Sequence, residues 1–216
     1  ENTALGYTAL QASDTASQNV AIGKAALLAD TKGAQSVAVG ANTLQSQNFT
    51  TATNTFNVAV GYFAGQQVTT ATRSVLIGGQ SGDALTTGSR NNVIGYNALG
   101  SDTLGARATA LGYGALQSQN FTTATENYNV ALGYNAGGSV TTGVQNTFVG
   151  ALTGDSLTDA DSNIAIGYAS LTADTLGSKS VAIGAGTLES QNFSTATDSY
   201  NVAIGHTAGG SITTGL

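Results

Sequence analysis

One short hydrophobic word recurs along the chain: a β-branched residue, a small or apolar residue, an aliphatic residue, then glycine. Val20-Ala21-Ile22-Gly23, Val58-Ala59-Val60-Gly61 and Val181-Ala182-Ile183-Gly184 are typical copies. The residue before the glycine is always aliphatic, from Leu5 to Ile204, and three before it only Asn92 departs from β-branching. Between them stands Ala, replaced only by Leu76, Val93 and Phe148. Alternation with period two predicts a short strand with two branched side chains on one face and a small one on the other. A helix is a poor reading, because β-branched residues and recurrent Gly both oppose it. Four before the glycine stands Asn or Ser, with Ala108 alone lacking a side-chain hydrogen bonder. These residues predict corner bonds to backbone and an amide ladder between copies. After the glycine, segments such as Tyr7-Thr8-Ala9-Leu10 and Tyr113-Gly114-Ala115-Leu116 predict a second short strand.

The frame glycines are Gly6, Gly23, Gly40, Gly61, Gly78, Gly95, Gly112, Gly133, Gly150, Gly167, Gly184 and Gly205, spaced 17, 17, 21 and then 17, 17, 17, 21 twice over. Twelve units therefore nest in blocks of 72 residues: about 1–72, 73–144 and 145–216. Each frame glycine is expected to end its strand with a positive φ or a crowded backbone. A 17-residue unit cannot bury its own apolar face, but stacked copies can. The fold class predicted is all-β, a parallel β-solenoid or β-roll of twelve coils forming a single array across 1–216. At ~4.8 Å per coil the rod is roughly 58 Å long. Its thin core draws on Val, Ile, Leu and Ala, and the leftover branched face is expected to pack on other copies in a bundle of three. From Gly205 to the end and on to Gly6 of a following copy is again 17 residues, so the array reads as a window on a longer one.

Composition narrows the function. With 29 Gly, six Lys and Arg, one His and no Cys, the chain holds little acid–base chemistry and no thiolate ligand. A net charge of −6 argues against nucleic acid, which calls for a basic stripe. No apolar run approaches the ~18 residues of a membrane helix, and no signal peptide is visible.

The blocks differ from a plain solenoid at one place. LQSQNFTTAT (44–53) returns at 116–125 and, as LESQNFSTAT, at 188–197, always in the 21-residue coil. It holds N-x-Ser/Thr acceptor patterns at Asn48, Asn120 and Asn192, so glycosylation is one candidate modification. It also pairs Phe49 with Phe56, Phe121 with Tyr128, and Phe193 with Tyr200. These are candidate partner-contact residues. They read as a small satellite core pinning the four extra residues or as a contact with a neighbouring chain, and alternatively as a stacking surface for a host glycan or protein.

NVAIG, SVAVG (36–40), SVAIG (180–184) and NTALGYTAL (2–10) together resemble the head repeats of YadA-type trimeric autotransporter adhesins. They are also similar to the NTALGYxAL repeats of phage tail fibres. The resemblance covers all twelve units and implies a left-handed parallel β-roll, homotrimeric, extracellular and used for attachment. The 17-residue spacing sits closer to the fibre version than to the shorter adhesin repeat. No neck, coiled-coil stalk or membrane anchor is legible, and the resemblance carries over no catalytic residue.

The remaining candidates read as scaffold. His206, the only histidine, occupies the column of Tyr7, Tyr62, Tyr96, Tyr113, Tyr134 and Tyr168, without a repeated partner for base catalysis. Asp30, Asp102 and Asp174, with Asp83 and Asp155, supply oxygens for calcium in principle. The Gly- and Asp-dense nonapeptide of calcium rolls is missing, so solvated corners are expected. Gly78-Gly79 and Gly137-Gly138 precede no helix pattern and read as turns, not phosphate cradles. The expectation is a non-enzymatic structural and adhesive fibre segment, without cofactor or metal. A self-assembling filament, a polysaccharide-active solenoid and an ice-binding solenoid are the rivals.

Overall fold

The computed structural model describes residues 1–215 and is all-β, without a helix. Twelve three-residue strands, from Thr3–Leu5 to Val202–Ile204, form one parallel sheet in which each strand pairs with the copies one coil before and after it. The register never slips: Thr3 lies beside Val20, Thr109 beside Val130, and Val181 beside Val202. The molecule is a β-solenoid whose coils coincide with the sequence repeats.

The pleat puts the small residue inside. Ala21, Ala38, Ala59, Leu76, Val93 and Phe148 at strand centres are fully buried, while the flanking branched residues are half-exposed along the outer face. The core is therefore made mainly of strand-centre Ala and of the Leu four residues past seven of the twelve frame glycines, joined by Val68, Leu85, Val140 and Leu157 where that position is Gly, while the Val and Ile flanking the strand centres stay outside it. A coil this narrow has room for one small side chain from the sheet and one large one from the opposite wall.

The expected second strand is not a strand. Thr8 and Leu10 have φ of +57° and +52°, and the same left-handed alternation recurs in the other coils, as at Ala25 and Leu27. Two left-handed residues in five turn the wall inward, so that adjacent residues such as Ala26 and Leu27 both point into the core. A strand would send one of them out. Each left-handed Leu costs about 1–2 kcal/mol of backbone strain, which burying its side chain offsets with about 1.5–3 kcal/mol.

Where the strand centre is large, the opposite wall is Gly. A Cβ on Gly65 would stand 2.6 Å from Leu76 Cδ1, and one on Gly137 2.7 Å from Phe148 Cδ2. Gly82 and Gly154 face the same two side chains from the next coil. In these coils Val68, Leu85, Val140 and Leu157, seven residues past the frame glycines, fill the rest of the wall, so the core stays packed where Leu gives way to Gly.

The frame glycines meet both conditions set for them. Gly61 has φ +138°, and a Cβ there would lie 2.5 Å from the Gly78 carbonyl oxygen. Gly23, Gly40, Gly95, Gly112, Gly133, Gly167 and Gly184 share that φ region and that crowding, and Gly205 shares the φ. The column allows no side chain because the next coil's backbone stacks directly on it.

The Asn column works differently from an amide ladder. Asn19 accepts from the Ser36 N–H at 2.8 Å and donates to the Gly33 carbonyl at 2.8 Å, so the side chain ties its coil to the backbone of the next. Asn91, Asn129, Asn146 and Asn163 repeat this stitch.

Candidate functional site

The three long turns are the places where the outline departs from a plain coil, and each is clamped from within. In the middle block the Asp102 carboxylate accepts from the Gly105 N–H at 2.9 Å, the Phe121 N–H at 3.3 Å and the Gln119 side-chain amide at 2.6 Å. Gln119 in turn accepts from Asn129 at 2.8 Å. Asp30–Gln47–Asn57 and Asp174–Gln191–Asn201 repeat the relay. Asp30, Asp102 and Asp174 are fully buried, which corrects the expectation of solvated corners. Burial pushes the Asp102 carboxyl above the ordinary Asp range, against the Gln119 bond and three backbone bonds that pull it down.

The signal for the clamp stood in the sequence as Asp-Thr-x-Gly: Asp30 to Gly33, Asp102 to Gly105 and Asp174 to Gly177, each one coil before a long turn. Every position has a task. The Asp reaches under the turn. The Thr hydroxyl donates to the Asn of the acceptor pattern, as Thr31 does to Asn48 at 2.8 Å and Thr103 to Asn120 at 3.0 Å. The Gly leaves the space that the carboxylate fills. Each turn then adds a two-residue strand to the preceding coil, such as Thr125–Glu126 beside Gly105–Ala106.

The aromatic pairs divide. Phe49, Phe121 and Phe193 are 7%, 5% and 6% exposed, held inside the turn, while Phe56, Tyr128 and Tyr200 are 48%, 46% and 65% exposed. Only the second member of each pair can meet a partner, and the two members do not form one stacking surface. Asn48, Asn120 and Asn192 are exposed, with the side-chain oxygen taken by the Thr hydroxyl.

Around each exposed aromatic the residues change together. Arg107 pairs with Glu126 at 2.8 Å and lies 5.4 Å over the Tyr128 ring, and the Tyr128 hydroxyl donates to Glu126 at 2.7 Å. Lys179, Asp198 and Tyr200 repeat the arrangement at 2.6 Å and 5.2 Å. In the first block the same places hold Gln35, Asn54 and Phe56, neutral throughout. Beneath them, Ser36 meets Thr55 and Ser180 meets Ser199 through their hydroxyls. The middle block has Ala108 and Asn127 there, and the Asn127 side-chain oxygen instead accepts from the Asn129 N–H at 2.9 Å.

Two outward columns border the apolar sheet face. On one side the residues after the frame glycines stack as rings, Tyr96 on Tyr113 and Tyr113 on Tyr134 at 5.5 Å, and His206 is exposed in the same column. On the other side lie the residues five before each glycine, among them Phe56, Arg73, Arg90, Arg107 and Tyr128 in consecutive coils. The spacing of 17 between the three Arg was visible in the sequence, but it stood out only once the column was known to face outward. Asp83 is half-buried, with burial raising its carboxyl, and Asp155 accepts from the Thr172 hydroxyl at 2.5 Å. Among the described residues no group of three or more His, Cys, Asp or Glu could hold a metal ion.

No family model, curated protein or solved structure matches the chain. The fold stands on its own geometry.

Proposed function

We propose that this chain is a non-enzymatic structural and adhesive segment of an extracellular fibre, either a phage tail fibre or a cell-surface adhesin. The observation that carries the reading is the triple repetition of one clamped rib on a single continuous sheet. Each rib offers an exposed aromatic in register, at Phe56, Tyr128 and Tyr200, four coils or ~19 Å apart along the axis. A buried carboxylate relay beneath every rib serves to hold a surface feature still, and rigid features at fixed spacing add weak contacts by multivalency. The resemblance to YadA-type and tail-fibre repeats points the same way.

The half-exposed Val and Ile columns favour a homotrimer in which three copies cover each other's sheet faces. Covering them would remove apolar surface along the whole rod. Ice binding is the weaker reading, because the outward columns of the flat face are dominated by Val, Ile and Leu and not by Thr.

Electron microscopy of the intact particle together with light scattering of the purified chain tests this. A thin rod with three chains per particle and density features every four coils supports the proposal. A compact monomeric globule sinks it.

A further inference from the structure

Six cationic side chains serve the whole chain, and three of them, Arg73, Arg90 and Arg107, stand one above another in a single column of the middle block. Their backbones fix the stack: Arg73 N–H donates to Thr55 O at 2.7 Å, Arg90 N–H to Thr72 O at 3.0 Å and Arg107 N–H to Ser89 O at 3.1 Å. The fold does not need charge there. The first block fills the column with Gln18 and Gln35, joined amide to amide at 3.0 Å, and the third puts Gln145 and Ser162 at the places of Arg73 and Arg90, with a cation, Lys179, only at that of Arg107. Stacked guanidinium groups one coil apart repel each other by on the order of 1 kcal/mol per adjacent pair in water. Only Arg107 has a carboxylate of its own, Glu126. Arg73 and Arg90 are exposed and make no ion pair among the described residues.

We propose that Arg73 and Arg90, with Phe56 and Tyr128 closing the ladder at either end, form a docking strip for a carboxylate-bearing polysaccharide lying along the rod axis. Glu126 on Arg107 and Asp198 on Lys179 show that this column's cations reach a carboxylate held at the edge of the sheet. Each open guanidinium can take a planar carboxylate in two parallel bonds. Three residues before each Arg, Thr70 and Thr87 are exposed and offer hydroxyls to sugar hydroxyls. Phe56 is half exposed at one end of the strip, and at the other Tyr128, also half exposed, already carries Arg107 over its ring, so Phe56 offers the aromatic surface for a sugar ring. A strip of two free cations on a chain of net charge −6 is too short for a nucleic acid. This inference is independent of the fibre reading, since the strip is complete within one chain.

The test is retention of the full chain on immobilised polygalacturonate, neutral dextran, poly-L-glutamate and duplex DNA, with light scattering in parallel. The comparison variant is R73Q/R90Q, because Gln35 and Gln145 hold the same left-handed conformation in this column. K24Q/K32Q is the control with an equal change of charge. The expected result is salt-sensitive binding to polygalacturonate above all other surfaces. It should fall about tenfold in R73Q/R90Q and persist in K24Q/K32Q. Absence of wild-type binding to polygalacturonate, equal loss in both variants, or tighter binding to DNA or poly-L-glutamate overturns the proposal. So does a change of oligomeric mass in R73Q/R90Q, which would make a second copy of this chain the occupant.

Discussion

Gln119 gives its side-chain amide to Asp102 at 2.6 Å and takes a hydrogen bond from Asn129 on its own oxygen at 2.8 Å. The direction of this relay is fixed, because Asn129 also donates to the Gly143 carbonyl at 2.7 Å and so cannot turn around. Asp102→Asn would set its amide nitrogen against that of Gln119, two donors with no acceptor between them. Asp102→Ala would leave the Gly105 and Phe121 N–H groups unpaired as well. Both should lower stability, by roughly 2–4 kcal/mol for the alanine variant, with the long turn at 116–125 the first segment to become sensitive to protease. Cleavage no faster than in wild type would show that the clamp does not hold the turn.

The same carboxylate sets a pH dependence of unusual sign for an Asp. Its folded pKa lies above the ordinary 3.8 because burial outweighs its hydrogen bonds. Its contribution to stability is then complete below the unfolded value and lost as pH rises through the folded one. Protonation and the Asn substitution differ here, since a carboxyl oxygen that carries a proton still keeps a lone pair for Gln119. The melting temperature should rise as pH falls through the folded pKa toward the unfolded one, and Asp102→Asn should flatten that rise. A melting temperature that falls over this window in wild type, or rises equally in the variant, contradicts the assignment.

Core volume is shared between the sheet and the opposite wall, which leads to a third prediction. Phe148→Ala alone opens a cavity and should cost about 3–5 kcal/mol. Adding Gly137→Leu and Gly154→Leu sends large side chains from the opposite wall into the emptied space, beside the Val140 and Leu157 already buried there. The triple variant should recover more than half of that loss in thermal or urea denaturation. Additive losses would mean that the two walls do not exchange volume.

The frame glycines, the short strands, the parallel stacking and the block length were all legible in the sequence. Each is enforced at every coil, and a constraint applied twelve times leaves a period. What the pattern could not give was the direction of the pleat. Hydrophobicity alone drew the core on Val, Ile, Leu and Ala alike, whereas the narrow bore admits Ala21 and leaves Val20 and Ile22 half-exposed. The second segment was misread for a related reason, since left-handed Leu residues have no signature in composition. Asp102 read as a corner because Asp is seldom buried, and its partner Gln119 lies one coil away. The Arg column could be counted from the start, but its meaning depended on which way the corner faced.

The last prediction concerns the exposed aromatic of the middle rib. The Tyr128 hydroxyl donates to Glu126, and this bond raises the Tyr128 pKa while holding the Glu126 carboxyl below its ordinary value, with Arg107 adding to the second effect. Both groups lie open to solvent, so the arrangement orients the ring more than it stabilises the fold. Glu126→Gln removes the carboxylate, and the Tyr128 pKa should return toward 10 in a spectroscopic titration. The wild-type contribution of Glu126 is present above its unfolded pKa and disappears as pH falls through the folded one, opposite in sign to Asp102. In the first block Phe56 has no hydroxyl and Asn54 no charge, so its rib should show neither titration. If Glu126→Gln leaves the Tyr128 titration unmoved, the ring is placed by Arg107 alone, and the charged rib is a cation–π pair with a bystander carboxylate.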